Sequence, residues 1–172
     1  MNDEERLKKA KEVFFYYNGS AFSIAREYGT KNWKKLKVPM ELEEQWRKEI
    51  QDQAIADAFK THGQDRIRAF NRFEESSFGS LCIASFAIEL LKESNDDVTI
   101  LILCEQIVHY MRFCEISTDD LNFIRNIILF ELTNNDYKIG MGYERESGYK
   151  FIFSQNNIRK RFERVLQKID NK

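Results

Sequence analysis

Few residues of this 172-residue chain have side chains suited to chemistry. It has two histidines, His62 and His109, and three cysteines, Cys82, Cys104 and Cys114. Glu105 and His109 lie at i, i+4, with Arg112 three residues further on. On a helix that spacing puts a carboxylate beside an imidazole, where it can tune a general base. The same spacing also serves a histidine merely oriented at a helix edge. No nucleophile completes a triad, since Cys104 and Cys114 do not share that face at helical spacing. Metal chemistry lacks its ligands: no CxxC, HxxxH or HExxH occurs, and no pair of Glu-x-x-His motifs. Gly140-x-Gly142 lacks a third glycine and a following helix, and no G-K-[ST] triplet is present. The expectation is a chain with no catalytic residues, no metal and no cofactor. An enzyme site around Glu105, His109 and Arg112 is the minor alternative.

Two basic stretches point to binding. Residues 20–38, SAFSIAREYGTKNWKKLKV, read as helix, glycine turn, helix. Ala25 and Gly29 have the spacing at which the helices of a helix-turn-helix approach closely. Lys31, Lys34, Lys35 and Lys37 would then face phosphates, with Trp33 able to stack. The opposing reading is a capped helix followed by a solvated basic loop anchored by Trp33. Arg159, Lys160, Arg161, Arg164 and Lys168 crowd the last helix and fit a solvated face, an acidic partner, or a nucleic-acid or lipid contact. Glu163 within that face weakens the lipid reading.

The elements that must position these residues are mostly helices. One proline and seven glycines stand where average usage would give about 9 and about 12. So few breakers disfavour a many-turned β fold. Leu7, Ala10, Phe14 and Tyr17 mark a first helix, Asp3 to Tyr17. A short second helix follows from Ser20 to about Tyr28. Pro39 with Glu41, Glu43 and Glu44 opens a long helix over 40–61, which Gly63 terminates. A helix over 64–73 precedes three apolar ones over 76–93, 97–116 and 118–133, with Asp96/Asp97 and Ser117/Thr118 as caps. Ile158, Phe162, Val165, Leu166 and Ile169 give the last helix its stripe. Between them, Tyr137, Ile139, Met141 and Tyr143, then Tyr149, Phe151 and Phe153, alternate with other residues. That period predicts a β-hairpin over 137–153 with the loop ERESG. The fold expected is mainly α: one domain over 1–172, a bundle of six to seven helices with a C-terminal hairpin. Residues 1–63 and 64–172 are conceivable lobes.

Charge is segregated within a near-neutral whole of −1. Residues 89–136 carry three Lys/Arg against ten Asp/Glu, and residues 137–172 carry nine against four. These halves either neutralise each other within the fold or face different partners. The N-terminus MNDEERLKKAKE lacks an apolar signal core, and the longest apolar run, Phe78 to Ile88, is too short for a span. Three cysteines in apolar segments read as buried free thiols in a reducing cytosol. The wealth of Asn, Ile and Lys fits an AT-rich bacterial genome. The sequence therefore suggests a small cytosolic accessory protein, an adaptor, inhibitor or immunity-like partner, acting by protein–protein contact or self-association without catalysis. Aromatic surplus marks its contact surface as Trp33, Tyr143, Tyr149 and Phe151. A nucleic-acid-binding regulator using 20–38 is the alternative partner reading.

Overall fold

The structure, a computed structural model, describes residues 2–77, 82–146 and 148–172, and of Cys82 only the backbone. The expected thiol of Cys82 therefore lies outside the described residues. The chain forms two compact units, 1–56 with 69–80 and 57–68 with 81–172. Among the described residues no strand occurs, and no helix is long and apolar enough to cross a membrane.

In the first unit, α1 (Asp3–Tyr16) begins at a capping box in which Asn2 and Glu5 satisfy each other's backbone N–H groups. Asn18 and Gly19 follow in left-handed backbone and turn the chain. Ser20 caps α2 (Ala21–Ser23), which runs on as a π-helical turn over Ile24–Gly29. Gly29, at φ +93°, breaks the helix, and α3 (Thr30–Lys35) restarts it. Ala10, Phe14, Ile24, Leu36, Trp46 and Ile50 make this unit's core. Phe14 stacks on Trp33 at 5.9 Å and tilts against Trp46 at 5.7 Å. The helix α4 (Met40–Lys60) supplies Trp46 and Ile50, and α5 (Gly63–Ser76) follows it.

The second unit centres on α6 (Cys82–Lys92), α7 (Asp97–Tyr110), α8 (Thr118–Glu131) and α10 (Gln155–Asp170), with the short α9 (Tyr149–Ile152) before the last. The α7 helix packs along α6, and α10 lies against both α7 and α8. Leu90, Leu101, Leu103, Ile107, Ile124, Ile128, Ile158 and Phe162 are fully buried. The expected caps are in place. Asp96 accepts from the N–H of Thr99 at 2.8 Å and Ser117 from that of Asp120 at 3.1 Å. Arg66, 2% exposed, ties two helix ends together. Its Nε donates to the carbonyls of Ala58 and Thr61, both at 3.0 Å, and its Nη1 to Glu93 O at 2.7 Å and Ser94 Oγ at 3.0 Å. A cation there satisfies carbonyls that helix geometry leaves without partners.

The hairpin expected over 137–153 is absent. Its backbone groups bond elsewhere, so no ladder forms. Gln155 brackets Tyr137, accepting from its N–H at 2.6 Å and donating to its carbonyl at 3.1 Å. Lys138 exchanges bonds with Asp97: its N–H donates to Asp97 Oδ2 at 2.6 Å, and its carbonyl accepts the Asp97 N–H at 3.1 Å. The carbonyl of Met141 accepts from the N–H of Gln64 at 2.9 Å. Gly142, at φ +91°, leads the chain into a 3₁₀ turn over Tyr143–Arg145. A Cβ on Gly63 would sit 2.4 Å from Met141 O, so this approach requires glycine. The alternation marks no common face either: Tyr137, Tyr143 and Phe153 are buried, while Met141 and Phe151 are 78% and 80% exposed.

Buried Glu131 accepts from Asn134 Nδ2 at 3.0 Å. Burial, then the charge of Asp97, pushes its carboxyl up to about 7, against the partial relief of Lys138. The folded state thus holds a proton that the unfolded chain releases near pH 4.5. Its contribution to stability is full below that value and is lost as pH rises through about 7. Urea melts from pH 5 to pH 8 should show stability falling, and Glu131→Gln should flatten that decline. Leu103→Ala, a truncation at a fully buried site, should lower the unfolding free energy by about 2–5 kcal/mol.

Candidate functional site

The C-terminal half of α7 and the part of α10 from Arg161 onward line an open groove of about 730 Å³ in the second unit. Its cations are Arg112, Arg161, Arg164, Lys168 and Lys172, and its one carboxylate is Glu105. The helix period explains the row on α10. Ile158, Phe162, Val165 and Ile169 are buried, so Arg161, Arg164 and Lys168 fall on the seam's flank. Glu163 and Asp170 leave the groove and pair with Arg159 at 3.8 Å and Arg125 at 2.9 Å.

Each groove cation has a definite state. Arg161 binds Glu105 through two bonds, Nε to Oε1 at 2.8 Å and Nη2 to Oε2 at 2.6 Å. Its guanidinium also lies over the Phe153 ring at 5.9 Å. Arg112 donates to the carbonyl of His109 at 3.3 Å and contacts His109 Nδ1 at 3.1 Å. A guanidinium only donates, so Nδ1 is the acceptor in that contact. Lys172 Nζ donates to Met111 O at 3.2 Å. Arg164 and Lys168 are exposed, and among the described residues they have no ion-pair or hydrogen-bond partner. Four of the five cations therefore have no carboxylate of their own.

Glu105 and His109, which their spacing would let meet, take different partners, Arg161 and Arg112. Burial pushes the Cys104 thiol far above its ordinary range, which removes it as a nucleophile. Cys114 is half-buried and donates to Tyr110 O at 3.2 Å. No three His, Cys, Asp or Glu side chains gather as a metal site among the described residues.

The aromatic contact set is dispersed in its roles. Trp33 is half-buried against Phe14 in the first unit. Tyr143 is 2% exposed, and its hydroxyl lies 2.8 Å from that of Thr99. Tyr143 and Tyr149 both pack on Phe153, at 5.3 and 6.1 Å, and so back the ring that carries Arg161. Phe151 alone of the four stands free in solvent. Lys31, Lys34, Lys35 and Lys37 are exposed, on and just after the six-residue α3. Ala25 is exposed as well, so it marks no close helix approach. The convergence of Arg112 with the α10 cations is not evident from spacing, because it depends on which α10 face is buried against α7. The one available signal was the i, i+3, i+7 recurrence of Arg161, Arg164 and Lys168.

Comparison of this chain with family models, with curated proteins and with solved structures finds no match.

The Arg161–Glu105 pair is only partly shielded, its side chains being 18% and 35% exposed. Glu105→Gln should therefore cost about 1 kcal/mol of stability in a urea melt, the scale of a screened charge-assisted pair.

Proposed function

We propose that this protein works by binding an anionic partner in the α7–α10 groove and carries out no reaction of its own. The observation that supports this most is the local charge: five cations line the groove, and its single carboxylate is already held by one of them. Arg164 and Lys168 are left to meet a ligand's charges, with Arg112 and Lys172 held only to carbonyl or imidazole acceptors. Arg161, fixed between Glu105 and Phe153, presents its remaining donors from a rigid position. Cys104 is buried away from this arrangement as an inert thiol, and His109 Nδ1 is engaged by Arg112, which favours capture over catalysis. Free thiols at Cys104 and Cys114 suit a reducing compartment such as the cytosol.

A second contact, to a protein partner or to another copy of the chain, is supported by Phe151. It is 80% exposed on α9, where a solvated aromatic has no internal role. The helix–glycine–helix over 21–35 supports DNA reading less, because α3 is too short to lie along a groove.

Labelled heparin, poly-L-glutamate and oligothymidylate should be titrated against the wild type and against Arg164→Glu/Lys168→Glu, at 50 and 200 mM salt. At least one polyanion should bind, weaken with salt, and lose tenfold or more in affinity in the variant, with unchanged helicity by circular dichroism. Equal binding by both proteins to every probe, or no binding at 50 mM salt, would overturn the reading.

A further inference from the structure

We infer that the groove's occupant is a single-stranded nucleic acid, with its phosphates along α10 and a base stacked on Phe113. This rests on the reading that the groove takes an anion, and adds which anion. The first support is the shape of the charge. Arg161, Arg164 and Lys168 recur about once per helical turn of α10, a row about 10 Å long at 1.5 Å per residue, and Lys172 follows just past the helix end. Such a row follows a flexible backbone bearing regular charges. The second support is what adjoins it. Phe113, just past the end of α7, is 62% exposed, although it is large and apolar. It is joined to the groove by two lining residues: the Arg112 guanidinium stands 5.4 Å over its ring and the His109 ring is 5.9 Å away. Tyr110 closes the cluster, 5.1 Å from His109 and 6.4 Å from Phe113. An exposed aromatic ring, here Phe113 backed by half-buried Tyr110, beside a cationic track is the pairing that single strands require. Phosphates meet the cations, and unpaired bases, each with a π face, meet the rings. An acidic protein segment would use the cations and leave the aromatic cluster idle. A duplex keeps its bases stacked inside and would do the same.

Those ring and charge contributions separate by experiment. Fluorescein-labelled dT12 and rU12 should bind the full chain, with log K falling against log salt at a slope of about −2 to −3, as about four phosphate contacts on a single strand require. Arg164→Glu/Lys168→Glu should weaken both strands at least tenfold. Phe113→Ala should weaken them about fivefold or more and leave poly-L-glutamate binding unchanged, while Phe113→Trp should restore strand binding. The indole of Phe113→Trp should also be quenched on adding dT12. If poly-L-glutamate binds in the groove and neither strand does, the anion site stands and the single-strand inference falls, as it does if strand binding ignores Phe113. If charge reversal changes the binding of no probe, the anion site falls with it.

Discussion

The burial of one stripe on α10 sets the geometry of the second unit. Ile158, Phe162, Val165 and Ile169 are taken from water against α7 and α8. At about 1.5–3 kcal/mol for each side chain of this size, no surface interaction competes with that burial in orienting the helix. Once the stripe is placed, the positions between and beside it have no freedom. Arg159 reaches the α8 terminus, where it donates to Leu132 O at 2.9 Å and neutralises the end of that helix. Arg161, Arg164 and Lys168 emerge on the α7 side. The groove's charge is thus a consequence of apolar packing, and the bidentate bond of Arg161 to Glu105 fixes its inner end.

The segment before α10 works as a brace. Its residues bond to the ends of three helices: to Asp97 at the start of α7, to Gln155 at the start of α10, and to Gln64 at the start of α5. Tyr143 buries its ring and satisfies its hydroxyl with Thr99, and Phe153 leans on it beneath Arg161. Two of the aromatic residues that look surplus in the sequence, Tyr143 and Tyr149, are accounted for here, while Phe151 is left in solvent. They fill the space between a loop and three helices, which no single helix stripe would require.

Local signals in the sequence carried far, and non-local ones did not. The starts of the helices at Asp3, Met40, Asp97 and Thr118 and the Asp96 and Ser117 caps rest on a few adjacent residues, and the structure repeats them, whereas the helix expected over 97–116 ends at Tyr110 and Gly63 opens α5. The alternation over 137–153 is also a local signal, yet it misleads. Period two means a strand only if the backbone finds a strand partner, and here Asp97 and Gln155 bond the backbone of Lys138 and Tyr137 instead. The break at Gly29 was legible as a glycine turn, whereas the π-helical winding before it was not. At the candidate site, Glu105, His109 and Arg112 were readable as a group on one helix. The partner of Glu105 was not, because Arg161 lies 56 residues from it in the chain.

A chain of net charge −1 gives an anion no long-range reason to approach. Recognition in the groove must therefore be local. At physiological salt, charges more than about 8 Å apart on an exposed surface are largely screened from one another. The acidic residues of the middle segment that stand beyond that distance hardly oppose a ligand seated on α10, and they do not pull it in. Association should then lack strong electrostatic steering, with k_on near the ordinary range of about 10⁵–10⁷ M⁻¹s⁻¹. Affinity would be set by how long the contacts last once made. Such a surface discriminates by fit, since a small anion meets one or two cations while a chain of anions meets the whole row. The near-neutrality that makes the protein look unpromising as a polyanion binder is what would restrict it to ligands long enough to fill the groove.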